Sequence, residues 1–215
     1  MSTGNIKELI GLHPNSLQLI EYISAISSSA SLTETVIPEV KSYSDAVYLN
    51  YYAIGLSLMF APKDNYKPKS GLKLSEIDNE RLTLDSIYLY NIPKKTREDG
   101  KTSTRSAELA FSAYPVSPFP LQITATVKDK DNKILARPPA MDVTKDSSGK
   151  DFVLALGEPD RKGGGAGPSS GSIGIWCEWT KDGLMVEFGG DEAKGPQAWE
   201  RGKDAVWKII TVFSA

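Results

Sequence analysis

The run SIGIWCEW-TKDG-LMVEF near the C-terminus constrains this fold more than any other stretch of the chain. Two arms alternate apolar and polar residues, and Asp182-Gly183 sits between them. That is a hairpin signal, because glycine takes positive φ at a tight turn without a Cβ penalty. AVWKIITVF then supplies a third alternating strand. Upstream, Lys150–Leu156 reads as a helix begun near Asp146–Ser148, capped by Gly157 and stopped by Pro159. Residues 144–215 are therefore expected to run helix, loop, strand, strand, connection, strand.

The first half begins helical. Thr3 or Asn5 can cap a short turn through Leu12, which His13-Pro14 breaks; Asn15 then caps a helix reaching about Ser28. Leu19, Ile20, Ile23 and Ile26 follow a 3.6-residue period and define its buried face. From Glu34 the period becomes two. Ile54, Leu56, Leu58 and Phe60 share one strand face, with Gly55, Ser57 and Met59 on the other. Segments 36–42 and 46–52 are rich in β-branched and aromatic residues and are expected to pair with it. Pro38 puts the first of them at an edge or a bulge. RLTLDSIYLYNIP resumes the strand pattern with a bend near Asp85, and LQITATVKDKDNKILARPP reads as a hairpin in which Leu121, Ile123, Ala125 and Val127 alternate before an Asp-Asn turn. The expected fold class is α+β: antiparallel β-sheets, two of them, with a few helices. One compact domain is expected over residues 1–215, with a Tyr-rich region 1–143 and a Trp-rich αβββ region 144–215. All nine tyrosines lie at or before Tyr114, and all four tryptophans at or after Trp176. No internal repeat stands out in the sequence.

Formal net charge is −2, and residues 1–120 and 121–215 each carry one more acid than base. No basic stripe points to nucleic acid. The longest apolar candidate, Val47 to Ala61, is interrupted by Asn50, Gly55 and Ser57 and falls short of the ~18 residues needed to span a membrane. The first residues lack the basic, apolar and small-residue regions of a secretory leader. Cys177 has no second cysteine to pair with, and no Asn-x-Ser/Thr sequon occurs. A reducing, cytoplasmic setting is the expectation.

Gly157 to Gly171 resembles a phosphate cradle at first sight. It follows a helix and precedes a strand, the reverse of a Walker loop, and it lacks the Lys-Ser/Thr. Gly100-Lys101-Thr102 has those letters, but Lys95 stands where the first glycine belongs. Ser170 replaces the third glycine of a G-x-G-x-x-G reading. The stretch is read as a connector, or as a lid carrying Arg161 and Lys162 as an anion nest.

Catalytic groups are few. A Ser-His-Asp or Cys-His arrangement has only His13 to use, and no G-x-S-x-G elbow is present. One Cys and one His fall short of a zinc ligand set, so no metal is expected. Cys177 shares a strand face with Ile175 and Trp179 and reads as packing. Asp129 and Asp131 begin like an EF-hand loop, but Ile134 occupies its glycine position. Glu178 and Glu187, on the two arms of the C-terminal hairpin, are the best acid–base pair.

Aromatic residues are the stronger lead. Tyr48, Tyr51 and Tyr52 crowd one strand, Trp176 and Trp179 another, and Trp199 lies in GPQAWERG. Planar ligands favour apolar pockets with a few polar tips. Tyr48, Tyr52, Trp176, Trp179 and Trp199 are accordingly the candidate stacking residues, with Arg161 and Lys162 as lid cations.

Two segments, YAIGLSLMFAP with LTLDSIYLYN and LGEPDRKGGGAGPSSGSIGIWCEW with LMVEF and AVWKII, resemble an uncharacterised family of intracellular fungal proteins over about half the chain. The helix, LGxP, glycine loop and hairpin are also similar to the αβββ modules of outer-membrane assembly lipoproteins. Size and character are similar to the pink chromoproteins of oyster mushrooms, which hold an indolone-type pigment without a covalent bond. The aromatic clusters and the few catalytic groups lead to the expectation of a non-enzymatic cytosolic binding protein for a small aromatic ligand, and the resemblance implies a non-covalently bound chromophore as its cofactor. The alternatives are a protein–protein interaction module or homodimeric structural protein, and a carboxylate-dependent enzyme.

Overall fold

In a computed structural model we describe residues 4–92, 107–124, 126–128, 131–165 and 174–215. The chain divides into two compact units, one holding residues 8–116 and the other residues 117–215 together with Asn5–Lys7. The second unit thus extends the expected αβββ region back to Ser117. The fold is α+β and dominated by antiparallel sheet.

Unit 1 contains α1 (Leu17–Ser29), β1 (Glu39–Ser42), β2 (Val47–Tyr51), β3 (Leu56–Pro62) and β4 (Leu82–Tyr90), the strands lying in the order β1–β2–β3–β4. Ser16, not Asn15, stands at the start of α1. The Asn15 amide instead reaches the Glu80 carboxylate at 3.4 Å, and the Ser16 hydroxyl donates to His13 O at 2.6 Å. Of the predicted helix stripe, Leu19 and Ile26 are buried with Tyr22, whereas Ile20 is exposed. The Tyr22 and Tyr114 hydroxyls lie 2.8 Å apart, satisfying two polar groups that burial would otherwise penalise. Val47, Leu49, Leu56, Leu58, Phe60, Leu82, Leu84, Ile87 and Leu89 form the buried sheet face. The bend expected near Asp85 is a β-bulge: Met59 faces Ser86 and Phe60 faces Leu84, which leaves Asp85 unpaired in the ladder.

Unit 2 starts with β5 (Phe119–Gln122), β6 (Thr126–Lys128), β7 (Ile134–Ala136) and β8 (Ala140–Val143). The expected hairpin forms between β6 and β7, but Leu121 belongs to β5, which pairs with β8. Ala125 and Asp129 lie outside the described residues. Then come α2 (Gly149–Leu156), β9 (Arg161–Gly163), β10 (Trp176–Trp179), β11 (Leu184–Phe188), α3 (Ala198–Arg201) and β12 (Trp207–Phe213), with strands in the order β12–β11–β10–β9. α2 opens as expected at Ser148, whose N–H and hydroxyl both donate to the Asp151 carboxylate (2.7 and 2.9 Å), and it closes at Gly157 with φ +81°. Phe152 of α2 packs on Trp179 and Phe188, with ring centroids at 6.5 and 6.0 Å, which fixes the core face of this sheet.

The two units repeat one plan, although no repeat stands out in their sequences. Each runs helix, strand, strand, a 3₁₀ turn ending in a left-handed glycine, strand, connection, strand. Gly55 (φ +59°, ψ +36°) and Gly183 (φ +60°, ψ +41°) hold the same position. Gly55 accepts from Tyr90 N, and Gly183 accepts from Phe213 N, both at 2.9 Å. The last strand bulges at Asp85 in one unit and at Lys208 in the other. Between residues 47–60 and 175–188 only Gly55/Gly183, Leu56/Leu184 and Phe60/Phe188 are identical. The two units share the backbone requirements of the turn but not the side chains around it.

Candidate functional site

The sheet face of unit 1 opposite its buried row carries two rows of side chains, fixed by strand register. Lys41, Tyr48, Met59 and Ser86 make one; Glu39, Asn50, Ser57 and Tyr88 make the other. The Tyr48 ring stands between Tyr43, edge-on at 6.1 Å, and Tyr88, tilted at 6.5 Å. Asn50, Ser57 and Ser86 are short, polar and buried. The Ser57 hydroxyl donates to the Asn50 side-chain oxygen at 2.7 Å, and the Ser86 hydroxyl to Asp85 at 2.7 Å. Tall aromatic rings thus rise around a low polar floor, which combines stacking surface with hydrogen-bonding groups.

Tyr52 lies at the end of this face, in the turn before β3. Its ring is 4.6 Å from Phe111, which in turn stacks on Tyr90 at 3.8 Å and 5°. Lys41 is held above the usual lysine range first by a hydrogen bond to the Tyr52 side chain, with Glu39 adding to the effect from 3.5 Å. Burial, followed by the nearby Asp45 charge, raises Tyr48 above the ordinary phenol range. Tyr48 and Tyr52 are therefore brought together around Lys41. Tyr43, Asn50, Ser57, Ser86 and Tyr88 carry no such signal in the sequence, because only register shows that their strands place them on one face.

The remaining expected residues belong to unit 2. Trp176 lies flat along Gly163, its strand partner, where an added Cβ would come within 2.7 Å of the indole. Arg161 meets Glu178 at 3.4 Å on the same face, and Thr180 also donates to Glu178. Lys162 pairs with Cys177, on the core-facing side, and sits over the half-exposed Trp199 at 5.5 Å. Trp179 is a core residue: it is 2% exposed, donates to Gly157 O at 2.9 Å and stacks on Phe152. With its ring buried and its N–H engaged, it offers no surface for a ligand. Within unit 2 these five residues thus have different surroundings: Trp176 and Arg161 on one sheet face, Lys162 with Trp199, and Trp179 in the core. Residues 166–173 of the glycine-rich stretch lie outside the described residues.

The His13 side chain reaches Leu82 O at 2.8 Å, a bond that ties the break before α1 to β4. Burial pushes the Cys177 thiol up to about 11, away from the range of a reactive thiolate. Glu178 and Glu187 share a face, as expected, but on neighbouring rows, Glu178 opposite Met185 and Glu187 opposite Trp176. Among the described residues no three His, Cys, Asp or Glu side chains are grouped to hold a metal ion.

A buried ion pair in unit 2 has no signature in the sequence. Asp182, the hairpin-turn residue, is 1% exposed and accepts from Arg137 at 2.8 and 3.0 Å and from Thr124 N at 2.8 Å. Arg137 also donates to Leu156 O and Thr124 O. The pair latches the β6–β7 segment to the hairpin and to the end of α2. An open cleft of about 510 Å³ between β8 and α2, lined in part by Met141, Asp142, Asp151 and Leu154, contains none of the expected residues.

No family model, curated protein or solved structure matches this chain. No described helix is long and apolar enough to cross a membrane.

Proposed function

We propose that the protein binds a small planar ligand on the tyrosine face of unit 1. The observation that carries this reading is the Tyr43–Tyr48–Tyr88 ring cluster beside the buried Asn50–Ser57 hydrogen bond. Two requirements meet there: rings for stacking, and small polar groups that orient what is stacked. Lys41 on this face is paired with Glu39, and the ring cluster accords with a non-covalently held chromophore.

Native mass spectrometry and a visible spectrum of gently purified protein test the reading. The expected result is an excess mass of a few hundred daltons that disappears on denaturation, with retention falling about tenfold in Tyr48→Ala. A bare polypeptide mass with a featureless spectrum would overturn it. A doubled subunit mass in that case would favour a homodimeric interaction module.

A further inference from the structure

β1 stands first in the order β1–β2–β3–β4, and among the described residues no strand or bridge lies beyond it. Antiparallel partners alternate between pairs that exchange both backbone hydrogen bonds and pairs that exchange none. Tyr43 N donates to Ala46 O at 2.8 Å, which fixes the phase of this alternation along β1. Lys41 and Glu39 therefore bond to β2, whereas the N–H and C=O of Val40 point away from it, out of the sheet edge. Val40 is half-buried, and residues 31–35 ahead of the strand are exposed.

Sheet edges are commonly protected by proline or by charge. Pro38 lacks an N–H and limits the ladder on one side of Val40, but the charges beside Val40 are of opposite sign. Glu39 and Lys41 flank it, with side chains 54% and 41% exposed. A second β1 laid antiparallel, with Val40 facing Val40, would exchange the two outward backbone bonds. The same twofold sets each Glu39 opposite the Lys41 of the other copy. Each carboxylate would then lie between two ammonium groups, its own at 3.5 Å and the one across the edge. Continued by one pair, the register sets Ile37, 76% exposed, against Tyr43, 51% exposed. Acid thus meets base and an aliphatic side chain meets an aromatic one. Moving the twofold by one residue, to Glu39 or to Lys41, would instead set like charges opposite each other.

We propose that β1 is a docking edge for a second copy of this chain, paired antiparallel about a twofold at Val40. Exposed ion pairs add little affinity, so the charges act mainly by selecting the partner and the register. The pairing also continues the row Glu39, Asn50, Ser57, Tyr88 into Lys41, Tyr48, Met59, Ser86 of the other copy, so that two tyrosine faces meet across the edge.

Sedimentation equilibrium of the whole chain tests the proposal. The expected result is a reversible monomer–dimer equilibrium. Glu39→Lys and Lys41→Glu each set like charges across the twofold, and each should weaken self-association about tenfold. Mixed one to one, the two variants again oppose acid to base at every contact, and they should form a heterodimer about as tight as the wild-type dimer. That recovery separates charge pairing from damage to either variant's fold. A wild-type chain that stays monomeric at every concentration, a dimer indifferent to either charge reversal, or a mixture no tighter than its components would overturn the proposal. The excess small-molecule mass expected for the tyrosine face is read independently of subunit number, so the two readings fail separately.

Discussion

Ile54 and Asp182 occupy the same position in the two units, the last residue of the 3₁₀ turn before its left-handed glycine, and both are buried. Unit 1 fills the position with an aliphatic side chain. Unit 2 fills it with a carboxylate and brings Arg137 from 45 residues away to neutralise it. The contrast shows that a backbone can fix where a side chain must be buried without fixing its chemistry. A buried ion pair adds little net stability over an apolar residue of similar size, but losing one partner leaves an uncompensated charge. Unit 2 has therefore gained an attachment point for its β6–β7 segment, together with a vulnerability that unit 1 lacks.

The largest expected effect breaks that difference. Asp182→Ala should cost about 3–5 kcal/mol, because Arg137 remains buried without its counter-ion. Tryptophan fluorescence during urea unfolding measures the loss in unit 2. Replacing the pair together, Asp182→Ile with Arg137→Met, should recover most of it. Failure of the double variant to recover would mean that the latch contributes through its bonds to Thr124 and Leu156 rather than through charge balance.

The shared element should respond equally in both units. An added Cβ at Gly55 would overlap the Ser112 carbonyl, and at Gly183 the Phe213 carbonyl. Neither obstacle is a flexible side chain, and both glycines have positive φ. Gly55→Ala and Gly183→Ala are each expected to cost about 2–4 kcal/mol. Tyrosine absorbance should record the first and tryptophan fluorescence the second. Unequal costs would show that the two turns are alike in geometry but not in constraint.

A smaller effect separates the units by pH. Burial pushes Tyr51 up to about 12 and raises Tyr114 and Tyr22 further still, all within unit 1. Below pH 10 these phenols are neutral in both folded and unfolded chains, so their contribution is fully present. As pH rises from 10 toward 12 the unfolded chain ionises first and stability falls. Tyr51 alone accounts for about 2–3 kcal/mol. In unit 2 the one such group among the described residues is Cys177, raised from its ordinary 9 to about 11. Alkaline titration should therefore unfold unit 1 over a narrower pH range than unit 2, as read by tyrosinate absorbance against tryptophan fluorescence. Coincident transitions would mean that the units unfold together.

Local structure is legible where one residue or one period dictates it. Gly183 and Gly157 mark their turn and cap because only glycine meets positive φ cheaply, and the alternation of LMVEF and LTLDSIYLY marks strands whatever their partners. Asp85 is readable as a bend because alternation fails there. At the candidate site, Tyr48 and Tyr52 are visible as aromatics, but Tyr88, Asn50, Ser57 and Ser86 join them only through the pairing of β2, β3 and β4. Trp179 looks equivalent to Trp176 because a strand's two faces are indistinguishable until something packs on one. The repetition of the two units is hidden for a related reason: hydrogen-bond geometry demands glycines and bulges at set places, whereas packing accepts many apolar side chains.

By itself, then, the sequence determined the local elements and their punctuation, since propensity, period and turn chemistry act over a few residues. Tertiary structure alone decided the rows of the two sheet faces, the burial of Asp182 and the separation of the aromatic residues into different surroundings. Those depend on register and on partners distant in the chain, and a carboxylate in a turn is solvated or buried only according to whether an arginine arrives to meet it.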